Sequence, residues 1–222
     1  MKLAHPQIEK VFDTEKDAIQ TIIIENPGFM YKLLLDLTQQ IEGLEGETIV
    51  SIRNEPVSIC KYVEIIDRFV PFNLNKKALL NKISAALEKN AMEAAHFQET
   101  AELLKDIELY LDKIAFDFPC DIVFNKINIA SLIKSSALEL RDDYKSLAEK
   151  VFDYMELVQE FEDTKLFITL NMRDFVSDDE MELFGRTVLA HAYHLIMIEG
   201  AEHPKLSMEE RLIIDSDLCE IG

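Results

Sequence analysis

Between Asn75 and Ile114 the chain contains neither proline nor glycine. Within that stretch Leu80, Ile83, Leu87, Ala94, Phe97, Ala101, Leu104, Leu111 and Ile114 follow three- and four-residue steps, or their seven-residue sum. That spacing draws one apolar stripe along a coiled-coil-like helix. Left unbroken, such a helix would run about 60 Å. Phe118-Pro119 stops it, because proline lacks the amide that would continue the ladder. A second helical zone, roughly Asp142 to Phe161, puts Tyr144, Leu147, Val151, Tyr154, Met155 and Val158 on one face. It is expected to return against the long helix as an antiparallel leg.

The two ends of the chain follow a different pattern. Thr21-Ile22-Ile23-Ile24 and Thr48-Ile49-Val50-Ser51-Ile52 near the start are short β-branched runs. Lys165 to Leu170, His194 to Ile198 and Leu212 to Ile214 follow near the end. Apolar runs of this length suit strands covered on both faces. Helices separate them. Asn26-Pro27-Gly28 starts one whose inner face is Phe29, Leu33, Leu34, Leu37 and Ile41, ending at Gly43. Ser177 and Glu180 form a capping box ahead of Met181, Phe184, Val188 and Leu189. Strand–helix–strand order predicts a mainly parallel sheet. The expected architecture is therefore α/β. A discontinuous head, residues 1–60 and 162–222, is interrupted by an α-helical leg at 61–161.

Hydrophobic residues make up 48% of the chain, enough for a real core, and six glycines leave little room for glycine-rich loops. No apolar stretch is long enough to span a bilayer, and Met1 to Pro6 lacks the apolar run of a signal peptide. A cytoplasmic protein without a membrane partner is expected. Cys60, Cys120 and Cys219 form no CxxC pair, so buried or idle thiols are the plain reading. The net charge of −19 opposes casual contact with nucleic acid, so any DNA binding needs a local basic surface.

Catalytic patterns are missing. Neither GxxxxGK[ST] nor GxGxxG occurs, and the turn Glu25-Asn26-Pro27-Gly28 has one glycine and no lysine for a phosphate. No GxSxG occurs either, and Ser135-Ser136 beside Lys134 is too little for a dyad. His191 and His194 could be a metal pair at i, i+3 but read better as a helix-to-strand linker. Asp112, Asp117 and Asp121 around the stop of the long helix could offer oxygen ligands to a hard cation, or simply solvate a helix end. Asp174, Asp178, Asp179, Glu180 and Glu182 suit a capped helix start stabilised by its dipole. Among the few cations, Lys126, Lys134, Arg141 and Lys145 fall on the segment returning from the leg. Arg53, Lys61 and Arg68 fall where head gives way to leg. They are either ordinary surface charge or a basic lining on an acidic body.

The order of these parts resembles a known family. Lys165-Leu166-Phe167-Ile168-Thr169-Leu170-Asn171, then Val176-Ser177-Asp178-Asp179-Glu180, match a strand ending in Asn followed by a helix cap. His194 to Glu199 and Arg211 to Asp215 look like the next two strands. Ile127-Asn128-Ile129 with Leu132-Ile133-Lys134-Ser135 matches a central segment. Together they resemble the Csn-family accessory protein (the Csn-two family) of type II-A CRISPR adaptation modules, over nearly the whole chain. The resemblance implies a degenerate P-loop-like head, a helical leg and no enzymatic activity. It also implies a homotetrameric ring that threads double-stranded DNA ends without sequence preference, for spacer acquisition. Calcium held by acidic leg residues would support the assembled form. Other adaptation proteins and the effector nuclease would be partners. By this reading Lys126, Lys134, Arg141, Lys145, Arg53 and Lys61 would face DNA, and Asp112, Asp117 and Asp121 would hold Ca²⁺. Lys134 falls on a basic position of the family segment and Asp121 on an acidic one; Asn125-Lys126 stands where the family has an acidic dipeptide. The alternative is a degenerate P-loop-like scaffold that acts through protein partners and ignores DNA.

Overall fold

The computed structural model describes residues 1–162 and 164–222. In chain order the elements are β1 (Lys2–Ala4), β2 (Phe12–Asp13), β3 (Ile19–Ile24), α1 (Pro27–Ile41), β4 (Ile49–Ile52), β5 (Glu55–Val57), α2 (Ile59–Tyr62) and β6 (Val63–Ile66). Then come α3 (Lys77–Met92), α4 (Phe97–Ala115), α5 (Ile129–Ser135), α6 (Leu147–Glu162) and β7 (Leu166–Leu170). A 3-10 turn (Met172–Asp174), α7 (Asp178–Ala190), β8 (His194–Glu199), β9 (Glu209–Ile214) and β10 (Glu220–Ile221) complete the chain. It is a mixed α/β protein with two sheets. It divides into two compact units, one of residues 1–72 and 143–222, the other of residues 73–142.

The first unit is built on a six-stranded sheet in the order β10-β9-β3-β8-β7-β6. Of its five strand pairings, four are parallel and the outermost, β10–β9, is antiparallel. Side chains alternate between the faces of a strand. One face presents Ile22, Ile24, Ile168, Ile196, Ile198, Leu212 and Ile214, which pack with Phe29, Leu33 and Leu37 of α1. Leu3, Phe12 and Val50 of a second sheet close the same core. Phe167, Thr169, Met197 and Glu199 alternate to the opposite face. There the Tyr154 hydroxyl of α6 donates to Glu64 of β6, and burial with the Glu64 charge drives that phenol strongly upward in pKa. Val151, Met155 and Val158 of α6 and Met181, Phe184 and Val188 of α7 are buried.

Local chemistry sets the helix ends. Asn26 caps α1 by accepting from the Phe29 amide at 2.9 Å, with Pro27 in the first turn. Gly43, at φ +87, lies just past the end of that helix, where a side chain would be strained. The Ser177–Glu180 capping box forms at α7 as expected.

Several expectations change. Thr48 to Ile52 forms a strand, but β4 joins the antiparallel sheet β2-β1-β4-β5 rather than the parallel one. The reason is the tight turn that follows it: Arg53 and Asn54 both adopt positive φ, which sends the chain straight back as β5. The parallel sheet instead gains β6 at its edge, from a segment assigned by sequence to the leg. The long helix does not run unbroken. It ends at Met92 and restarts at Phe97, across an extended Glu93. The Thr100 hydroxyl donates to the Ala91 carbonyl at 2.9 Å and staples the corner. Finally, α6 lies in the first unit, so the division at 72/73 and 142/143 differs from the expected leg of 61–161. Its Tyr154 meets Phe72 edge-on at 5.4 Å as well as Glu64, fixing its apolar face within the sheet unit. The three thiols are exposed rather than buried.

Candidate nucleic-acid interface

Two of the predicted basic residues lie in the helical unit beside grooves. Asn128 caps α5 by accepting from the Ser131 amide at 2.8 Å, which fixes where the helix begins. Lys134 then falls in its last turn, where a cation also complements the helix dipole. Asn75 holds the following segment: its side chain accepts from the Leu140 amide at 2.7 Å and donates to the Leu140 carbonyl at 3.3 Å. Between α3 and α5 this leaves a groove of about 540 Å³ bordered by Lys77 and Lys134. A second groove of about 480 Å³ along α4 is bordered by Lys105 and Lys126. Its floor includes Phe97, Ala101 and Leu104, which are positions of the sequence stripe. Lys77 and Lys105 were missed by the sequence reading. Their signal was present, since Lys105 follows Leu104 on the stripe, but nothing in one dimension says which lysine borders a groove. Neither groove is purely cationic, because Glu88 borders both and Glu108 the second.

The other predicted cations are exposed and divide between the units. Arg141 belongs to the helical unit, whereas Arg53, Lys61, Arg68 and Lys145 belong to the sheet unit. Arg53 sits in the β4–β5 turn. Lys61 places its ammonium 5.2 Å over the Tyr62 ring, a cation–π contact.

The predicted metal residues do not converge. Asp112 lies near the end of α4, Asp117 in the turn after it, and Asp121 in the following loop; all three are exposed. Among the described residues, no three His, Cys, Asp or Glu side chains are grouped to hold a metal ion. Asp112, Asp117 and Asp121 therefore do not fit a calcium site within one chain. His191 and His194 turn to different partners. The Nδ1 of His191 lies 2.9 Å from the Thr187 carbonyl, and that of His194 lies 2.9 Å from the Thr14 carbonyl. Burial lowers the pKa of His194. The acidic group at α7 is structural: Asp178 accepts from Arg173 at 2.7 Å.

The carboxyl edge of the parallel sheet is where an α/β fold would place a nucleotide. Here its first-turn chemistry is already committed. Asn26 occupies the Phe29 amide, and its own amide donates to the Ser216 carbonyl at 2.8 Å. At the end of β8 the Glu199 carboxyl is buried, and among the described residues no donor meets it at good hydrogen-bond geometry. Burial pushes its pKa up to about 7, a rise only partly offset by the amide and charge of the neighbouring Arg173. Arg173 is itself buried, held by Asp178, the Pro204 carbonyl at 2.7 Å and Glu209 at 3.6 Å. Nothing along the chain signals this buried charge cluster, because an arginine in a polar loop reads as exposed.

No helix among the described residues is long and apolar enough to cross a membrane. A family model described as CRISPR-associated protein (Cas_Csn2) matches residues 40–218, most of the chain. Among curated proteins, none matches it.

Proposed function

The chain belongs to the CRISPR-associated Csn2 family, and on that premise we propose a non-enzymatic ring protein that holds double-stranded DNA ends during spacer acquisition in a type II-A CRISPR system. The family match carries the reading. The lysine pairs of the helical unit, Lys77 with Lys134 and Lys105 with Lys126, support it, because each brings two ammonium groups to one groove on a chain of net charge −19. Paired lysines contact phosphates without reading bases, which suits sequence-independent capture. Several copies would concentrate such pairs around a duplex while their outer surfaces stay acidic.

Self-association has its own support. Leu103, Tyr110 and Ile114 recur along α4 and are each about half exposed or more. An apolar row of this kind on a helix fits a contact between copies. Calcium enters the proposal as an ion of the assembled form, since the three carboxylates do not meet within one chain. The other adaptation proteins and the effector nuclease of the locus are the proposed protein partners.

Gel-shift titrations with linear and closed circular duplex, at several salt and calcium levels, test the reading. Linear DNA should bind better, with an affinity that falls steeply as salt rises. The double change Lys126→Glu/Lys134→Glu should weaken binding by about tenfold or more while leaving the circular dichroism spectrum intact. A chain that ignores DNA but still binds its protein partners would be the scaffold instead.

A further inference from the structure

α6 and α7 carry a groove of about 340 Å³, apart from the lysine-bordered grooves of the helical unit. Phe152, Leu183 and Phe184 form its apolar floor, and Glu149 and Glu180 border one end. Leu183 is 68% exposed, a large aliphatic group left in water between acidic first turns. At the other end the Phe152 ring meets His191 edge-on at 5.0 Å and stacks on Tyr193 at 5.9 Å. Burial raises the Tyr193 phenol, and the nearby charges of Glu156 and Glu160 add to that rise.

The cations of these two helices are engaged elsewhere. Lys150 lies 5.9 Å over the Phe72 ring, and Arg186 bonds Glu182 at 2.8 Å. Apart from Lys150, Lys145 just before α6 is the nearest cation in sequence to Glu149. Along α7 the lining runs from Glu180 to Thr187, about 10 Å or two helical turns. Its centre is apolar, and Glu149 and Glu180 stand on its rim. Nucleic acid and anionic lipid are repelled by those carboxylates.

We propose that the groove between α6 and α7 docks a cationic amphipathic helix of a protein partner. Apolar residues of that helix cover Leu183 and Phe152, and its lysines or arginines flank Glu149 and Glu156. This is the helix-in-groove mode of recognition, with opposite charge fixing the orientation. It is independent of the DNA reading, and either can fail alone.

The test uses a fluorescent synthetic Lys/Leu peptide with an amphipathic heptad pattern, titrated with the full chain and followed by anisotropy. A scrambled peptide of equal composition is the control. Leu183→Asp and the pair Glu149→Lys/Glu156→Lys should each weaken the patterned peptide by about tenfold or more. All these side chains are exposed, so circular dichroism should show an unchanged fold. The patterned peptide should also outbind the scrambled one. Equal binding of both peptides, or indifference to Leu183→Asp, would mean general attraction to an acidic surface and overturns the proposal. A wild-type oligomer that Leu183→Asp splits in sedimentation, with no effect on the peptide, would give the groove to a second copy and overturns it equally.

Discussion

The sheet unit and the helical unit differ in how completely they cover their apolar residues. In the sheet unit, Phe12, Ile22, Leu33, Val151, Phe167, Ile196 and Val188 are all 1% exposed or less. Within residues 73–142, the described residues that are buried are Leu74, Leu79 and Thr100. There Phe97, Leu103, Leu109, Tyr110, Phe116, Phe118 and Val123 stay between 50% and 90% exposed. A sheet with layers on both faces closes its own core. A few helices with an apolar stripe do not, and exposed apolar surface of that size is a usual mark of an interaction face. The closed core therefore lies in the first unit, and much of the exposed apolar surface in the second.

Truncations should separate the units most sharply. Phe167→Ala, at the centre of the sheet, should lower unfolding free energy in urea by about 3–5 kcal/mol. Phe118→Ala should stay within about 0.5 kcal/mol, because its ring is already in water. Comparable losses at the two positions would erase the contrast.

The next effect comes from Glu199. A glutamate of ordinary pKa 4.5 is raised in the folded chain to about 7. The folded state therefore holds the proton more tightly than the unfolded state. The stability this contributes is complete below about pH 4.5 and is lost as pH rises through about 7. The full span is on the order of 3 kcal/mol. Glu199→Gln should remove that fall, so the variant gains on wild type between pH 5 and pH 8 in chemical denaturation. His194 titrates in both proteins and cancels from the difference. A constant offset across that range would show that the carboxyl is not protonated on folding.

The smallest effect sharpens the other side of the comparison. Leu103→Asp on α4 should weaken self-association by about tenfold in sedimentation equilibrium, while the urea midpoint of the sheet unit is unchanged. A loss of folding stability with no change in mass would move this face from association to core.

Much of this was legible along the chain. The runs at Ile22, Ile168, Ile196 and Leu212 became parallel strands because continuous apolar stretches can only be covered on both faces. Asn26 and Ser177 marked helix starts because a side-chain acceptor meets an unpaired amide at a fixed spacing. The family was legible in the same strands and the cap after them. The groove lysines were half legible: Lys126 and Lys134 stood out, whereas Lys77 and Lys105 needed the packing of α3, α4 and α5.

What the sequence determined by itself was local: where strands and helices form, where caps stop them, and that the whole carries a large negative charge. Those follow from near-neighbour sterics and hydrogen bonding. Tertiary structure alone decided which sheet β4 joins, that β6 completes the parallel edge, that the long stripe turns a corner after Met92, and that α6 sides with the sheet. It also decided that Glu199 and Arg173 are buried near each other at the carboxyl end of the strands. Each of those outcomes depends on partners distant in sequence, such as Tyr154 with Glu64 across the sheet unit, and no local pattern encodes which of several apolar faces will meet.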